Sequence, residues 1–352
     1  MFDNSKLLTN FHSDHVRLSN DQRAAMRSRR DTNVGRIKAG LADNEKPAVA
    51  EVINQGGYAM KTMTQPAENS DGSYDIDLGV VFETDDSKSP KTMRTWVLDA
   101  LTEKATNVKG DPEDTGKCIR IEYAEGYQCD FPVFNREWNG SNYIYQIALR
   151  DDWTISSPAQ INDWFEREIK DRSPENSAPY QLRRLVRLMK FLGKTWCYAT
   201  SCRYPSGLLL TALTVEAYQA VEGRLDDAFY RTLRTLGSRY AALPVYADGI
   251  VVSSEADVVR IQRFCDKAKE LADVLEPLTT NPNEFDDVNA RALWKKVFRH
   301  SFFNPVETKS AKAETSSAGQ GAFGLAASVF AERATAAVES TAYPSKPYGT
   351  VD

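Results

Sequence analysis

Two aspartates, Asp75 and Asp77, stand two positions apart in "GSYDIDLGVVFE", residues 72 to 83, a run otherwise filled by Tyr, Ile, Leu, Val and Phe. Side chains on a strand alternate faces, so Tyr74, Ile76 and Leu78 share one face and the two carboxylates share the other. At an effective dielectric of 20, two unit charges ~4 Å apart repel by about 4 kcal/mol, which water at a sheet edge or a bound cation must offset. A divalent cation does so directly, because Mg²⁺ takes hard oxygen ligands and is commonly shared between one or two carboxylates and substrate phosphates. Taken alone, a D-x-D spacing is more simply two aspartates on a wetted sheet face.

Three further segments extend the chemistry. Upstream, "NQGGY" closes a strand with Gln55, Gly56 and Gly57, whose backbone N–H groups a phosphate can approach without obstruction by Cβ. Downstream, "YQCDFPVFN" places a third carboxylate, Asp130, in a β context, where a neighbouring strand could complete a two-cation clamp. Further on, "RLVRLMKFLGKTW" and "YPSGLLL" offer Lys190 and then Ser206 at a helix start, suited by charge, hydroxyl and N–H donation to a triphosphate tail. Lys194 is an alternative to Lys190. Each has a structural reading by itself: a turn, a lone carboxylate, a solvated helix lysine and an N-cap. In this order they form a constellation.

The elements that must position these groups follow from periodicity. Residues 16 to 42 read as a basic helix entered through Ser19, with Gln22 at the capping-box spacing. Its arginines (Arg17, Arg23, Arg27, Arg29, Arg30, Arg36) read as a solvated face rather than a nucleic-acid contact. A strand-rich block follows: "AVAEVINQGG", "SYDIDLGVVFE", "CIRIEY", "CDFPVFN" and "YIYQIALR". Within it "SPKTMRTWVLDALTEKA" is a helix with Ser89 as N-cap and Pro90 at its first position. After about residue 155 helical periodicity takes over. The fold class expected is α+β, with a mixed-sheet lobe over residues 1–155 and a helical lobe over 156–303. The tail, 304–352, has too few large apolar groups to form a core and is expected to be flexible.

Bulk properties narrow the classes. The 352 residues suffice for two ordinary domains or one two-lobed one. A net charge of −5 provides no global positive field for long nucleic acid. Five widely spaced cysteines read as reduced thiols, and the histidines of "HSDH" (His12, His15) as solvent-exposed groups near a chain end, without cysteines to complete a zinc site. No secretory leader or apolar run of ~18 residues is found, so a cytoplasmic protein without membrane contact is expected.

With these residues in view, the sequence resembles the polymerase-β-like nucleotidyltransferases, and within them the bacterial cGAS/DncV-like enzymes, the CD-NTases. Gly56-Gly57, Asp75-Ile76-Asp77, Asp130, Lys190 and Ser206 follow the family pattern, and the likeness spans residues 16 to about 300. One departure is Gly57, where the family often carries serine, so backbone N–H groups must replace a hydroxyl contact. There is no His/Cys cluster of the kind that holds a DNA-sensing insert in the animal enzyme.

The resemblance implies a two-lobed polymerase-β-like fold with its active site in the cleft between the lobes. It implies Asp75, Asp77 and Asp130 as catalytic metal ligands for two Mg²⁺ ions, with Mn²⁺ an admissible substitute, and Gln55, Gly56, Gly57, Lys190 and Ser206 as nucleotide-binding residues. The implied function is synthesis of a cyclic di- or oligonucleotide second messenger from ATP, GTP or pyrimidine triphosphates in anti-phage (CBASS) defence, read by a downstream effector. The C-terminal tail is expected to be a handle for an accessory protein. Addition of nucleotides to RNA ends or to protein, a metal-dependent glycosyltransferase, and a non-catalytic nucleotide-binding protein are the alternatives.

Overall fold

The computed structural model describes all residues except 71–73, 86, 125, 241 and 306–352. The tail expected to carry an accessory-protein contact therefore lies outside the described residues. The chain opens with α1 (Ser5–Phe11), a π-helical turn (His12–Val16) and the long α2 (Asn20–Asp43). Ser19 caps α2 through the expected box, its hydroxyl accepting from Gln22 N at 3.1 Å while Gln22 Oε1 accepts from Ser19 N at 2.8 Å. Then come β1 (Glu51–Gln55), the short α3 (Gly56–Ala59), β2 (Tyr74–Glu83) and α4 (Pro90–Lys104), which starts at Ser89 and Pro90 as the sequence requires. The sheet continues with β3 (Glu113–Asp114), β4 (Ile119–Tyr123), β5 (Tyr127–Phe131), β6 (Val133–Trp138), β7 (Tyr143–Leu149) and β8 (Asp152–Ile155).

β2 is the spine of this sheet. It pairs antiparallel with β1 on one side and parallel with both β5 and β6 on the other. The register is continuous across the two partners, Asp77 facing Asp130 and Val80 facing Val133, so β5 and β6 are halves of one strand interrupted at Pro132. Proline has no N–H to give the ladder, and here its carbonyl still accepts from Val80 N at 2.9 Å. β4 pairs antiparallel with β5 and β7 with β6. Ile76, Leu78, Val80 and Phe82 pack with Met26, Ile37, Leu41, Met93, Val97 and Leu101 of α2 and α4 in the core of this lobe.

The second core belongs to α5 (Gln160–Arg172), α6 (Gln181–Thr200), α7 (Gly207–Ala217), α8 (Leu225–Gly237), α9 (Val258–Leu275), α10 (Pro277–Thr280) and α11 (Asp287–Phe298), with a hairpin of β9 (Tyr246–Ala247) and β10 (Ile250–Val251) between α8 and α9. The fold class is α+β. The first sixteen residues, expected on the sheet lobe, pack instead into the helical core: Leu8, Phe11 and Val16 are buried there, Asn4 N donates to Asp226 at 2.8 Å, and Trp294 Nε1 donates to Asn4 Oδ1 at 2.9 Å. Leu18 is the first residue of the sheet-lobe core.

The same packing corrects the histidine reading. His12 and His300 are buried, and His15 lies between Phe11 and His300 with ring centroids 5.9 and 4.7 Å away. Burial, with Arg187, Arg184 and Arg17 nearby, pushes His12 down to about 3, so it is neutral in the fold. The arginines of α2 also depart in part from a solvated face, with Arg29 stacked 4.0 Å over the Tyr127 ring and Arg36 donating to Tyr123 at 3.0 Å. All five cysteines are free thiols. Among the described residues no helix is long and apolar enough to cross a membrane.

Candidate active site

The β2 register assembles the acidic groups. Asp77 lies between Gln55 of β1 and Asp130 of β5, and directly opposed residues share a sheet face, as does Asp75 two positions away. Asp75 is exposed and Asp77 half-buried by accessible area. Burial lifts Asp75 to about 6, opposed by Lys194 and helped by Asp130. Burial lifts Asp77 to about 7, with Asp130 and Asp75 adding like-charge repulsion and Lys190 opposing it.

Gly56 lets Asp77 sit where it does. Its φ is +60°, a left-handed conformation that favours glycine, and a Cβ there would fall 2.0 Å from Asp77 Oδ2. Gly57 is different: a Cβ would meet Met63 Cγ at 3.4 Å and Lys190 Nζ at 3.6 Å, which is ordinary contact. Gln55 ends β1 with its amide donating to Pro158 O at 3.1 Å, so its side chain ties the turn to the connection between the lobes.

Lys190 extends from α6 toward this turn. A Cβ on Gly207, the first residue of α7, would stand 3.4 Å from Lys190 Nζ, which places that ammonium between the glycine turn and the α7 N-terminus. Ser206 caps α7, its hydroxyl accepting from Leu209 N at 3.3 Å. Lys190 Nζ donates to Thr62 Oγ1 at 2.9 Å, and Lys194 Nζ to Thr64 O at 3.3 Å. Burial, and then the neighbouring Lys194, lowers Lys190 to about 7; burial lowers Lys194 as well. Both lysines face neutral oxygens rather than an ion-paired acid, and each stands in the field of the aspartates. Lys194, the alternative to Lys190, thus joins the same site.

Asp130 has a partner that its sequence segment did not suggest. Arg120, opposite it on β4, donates Nε to Oδ1 and Nη2 to Oδ2, both at 2.8 Å, and Gln128 Nε2 donates to Oδ1 at 3.1 Å. Its segment, "CIRIEY", reads as a strand, and the role of Arg120 depends on a strand pairing that local sequence does not encode. Among the described residues no three acid, histidine or cysteine side chains converge into a ready metal cage. The donors suit a hard divalent cation in type, since Asp75 and Asp77 present carboxylate oxygens whose ionisation is disfavoured without a compensating charge. Asp75 and Asp77 fit such an ion directly, and Asp130 fits once Arg120 gives up its oxygens.

Residues 50–134, which carry the glycine turn and all three aspartates, match the family model described as "Cyclic GMP-AMP synthase DncV-like, nucleotidyltransferase domain". The fold is similar to that of Vibrio cholerae DncV cyclic AMP-GMP synthase, with a TM-score of 0.67 at 16% identity over 87% of this chain and 98% of that one. The same enzyme with a linear intermediate, 5′ pppA(3′,5′)pG, superposes with a TM-score of 0.66 at 16% identity, covering 85% and 96% of the two chains. Its complex with nonhydrolysable GTP gives 0.66 at 16% identity, covering 85% and 96%.

Proposed function

We propose that this chain, whose residues 50–134 match the DncV-like nucleotidyltransferase domain model, joins nucleoside triphosphates into a cyclic di- or oligonucleotide signal, in a cytoplasmic anti-phage defence system. The observation that carries the reading is the register of β2, which sets Asp77 opposite Asp130 and Asp75 alongside, facing Lys190 and Lys194. Complexes of the Vibrio cholerae enzyme with GTP and with a linear dinucleotide support triphosphates as substrates here.

The chain's residues divide the work. Asp75, Asp77 and Asp130 would hold two Mg²⁺ ions, or Mn²⁺ in their place. When bound, such ions supply charge neutralisation on the phosphates and acidify an acceptor hydroxyl. Lys190 and Lys194, hydrogen-bonded to the neutral oxygens of Thr62 and Thr64, neutralise the triphosphate tail, and the N–H groups at the α7 N-terminus beside Ser206 add donors to it. The bare backbone at Gly56 and Gly57 admits a phosphate close to the chain. An acceptor ribose oxygen then bonds to the α-phosphorus as the bond to the β-phosphate oxygen breaks. Pyrophosphate leaves, and Asp130 or water takes the hydroxyl proton. A second transfer within the cleft closes the ring.

The test is product analysis. Purified protein with labelled ATP, GTP, CTP and UTP and Mg²⁺ should yield a phosphatase-resistant cyclic product whose mass identifies its bases. Label found only in added RNA or in protein would instead favour the terminal-transferase alternative, and tail-dependent capture of an accessory protein is a separate measurement.

A further inference from the structure

We propose that Arg120 competes with a cation for Asp130, so that the second metal position opens only when a nucleotide phosphate takes over the guanidinium; this rests on the nucleotidyltransferase reading. Both Asp130 oxygens accept from Arg120 in a two-pronged contact, with Gln128 adding a third hydrogen bond. The pair is fixed by strand register, since Arg120 stands directly across β4–β5 from Asp130. Arg120 is buried and Asp130 half-buried, which makes a charge left alone on either side expensive.

A divalent ion arriving at Asp130 would therefore displace one cation and leave it beside another. That arrangement is unfavourable until an anion arrives for Arg120. A phosphate offers planar recognition of the same two-pronged kind as a carboxylate. Nucleotide binding and loading of the ion at Asp130 are then linked, and by reciprocity each strengthens the other. Arg120 is in this account a positioning residue acting through Asp130, and its removal should tighten metal binding, a sign opposite to that of structural damage.

Mn²⁺ binding followed by electron paramagnetic resonance tests this directly, with and without a nonhydrolysable nucleoside triphosphate. Without nucleotide, Arg120→Met should bind the second Mn²⁺ at least tenfold more tightly than the native protein. With nucleotide the difference should shrink to within about threefold. Arg120→Lys keeps the charge but loses the fork, should fall between the two, and alone decides the matter should Arg120→Met not fold. Equal or weaker Mn²⁺ binding by the Arg120 variants without nucleotide overturns the inference while leaving the nucleotidyltransferase reading intact. Failure of the native protein to bind any Mn²⁺ even with nucleotide, matching Asp75→Asn with Asp77→Asn, overturns both.

Discussion

Gly56 and Asp77 share a space that admits only one side chain: a methyl on the glycine would lie 2.0 Å from Oδ2 of the aspartate. Gly56→Ala must therefore displace the carboxylate and also hold a non-glycine residue at φ +60°. The expected result is a loss of about 1–3 kcal/mol in stability from backbone strain and at least a hundredfold loss of turnover. Thermal melts and NTP consumption measured together check this, and near-native turnover would contradict the placement of Asp77.

Gly57→Ser should behave differently. The added Cβ meets only Met63 and Lys190 at ordinary contact distances. Activity within about threefold of native, with unchanged or slightly lower KM for NTP as the hydroxyl reaches phosphate, is the expected outcome. A collapse of activity comparable to Gly56→Ala would refute the distinction between the two glycines.

The raised aspartates make metal-free stability depend on pH in a defined direction. In the fold Asp75 and Asp77 keep their protons up to about 6 and about 7, whereas in the unfolded chain they release them near 3.8. Their contribution is thus fully present below about pH 3.8 and is lost as pH rises through about 7. The difference in Tm between native protein and Asp75→Asn with Asp77→Asn, measured in a chelator, should therefore change by several degrees across that window, the variant being relatively more stable at pH 8. Mg²⁺ should stabilise the native protein at pH 8 and leave the variant unaffected, and metal-dependent turnover should be abolished in the variant.

Lys190 titrates near 7 in the free protein. A triphosphate arriving at pH 8 should restore its charge and so draw a proton from solution. Calorimetry in buffers of different ionisation enthalpy should show that uptake at pH 8 for the native protein and much less for Lys190→Met, together with a KM for NTP raised at least tenfold. Identical proton uptake in the two proteins would remove Lys190 from the phosphate site.

Strand alternation made the shared face of Asp75 and Asp77 legible, because period-two patterning in "YDIDLGVVF" is local. Glycine pairs and caps were readable for the same reason, as at Ser19, Ser89 and Ser206. Long-range pairing was not. Arg120 acquires its meaning only when β4 lies against β5, and no feature within "CIRIEY" marks it. His12 read as exposed because the sequence around it is polar, but Phe11 and Val16 draw the segment into the helical core. The helix over Asp287–Phe298 falls within the helical lobe expected over 156–303, and in the fold Phe229 and Phe303 pack across from its Trp294 and Phe298.

The placement of the first sixteen residues has a mechanical result. The polypeptide passes between the two cores near Leu18 and again between Ile155 and Gln160, and it makes an excursion at Met60, which is buried among the helices before the chain returns to β2. Several covalent crossings thus tie the two cores together, and the described chain offers no single peptide segment as an axle on which one half could swing freely from the other.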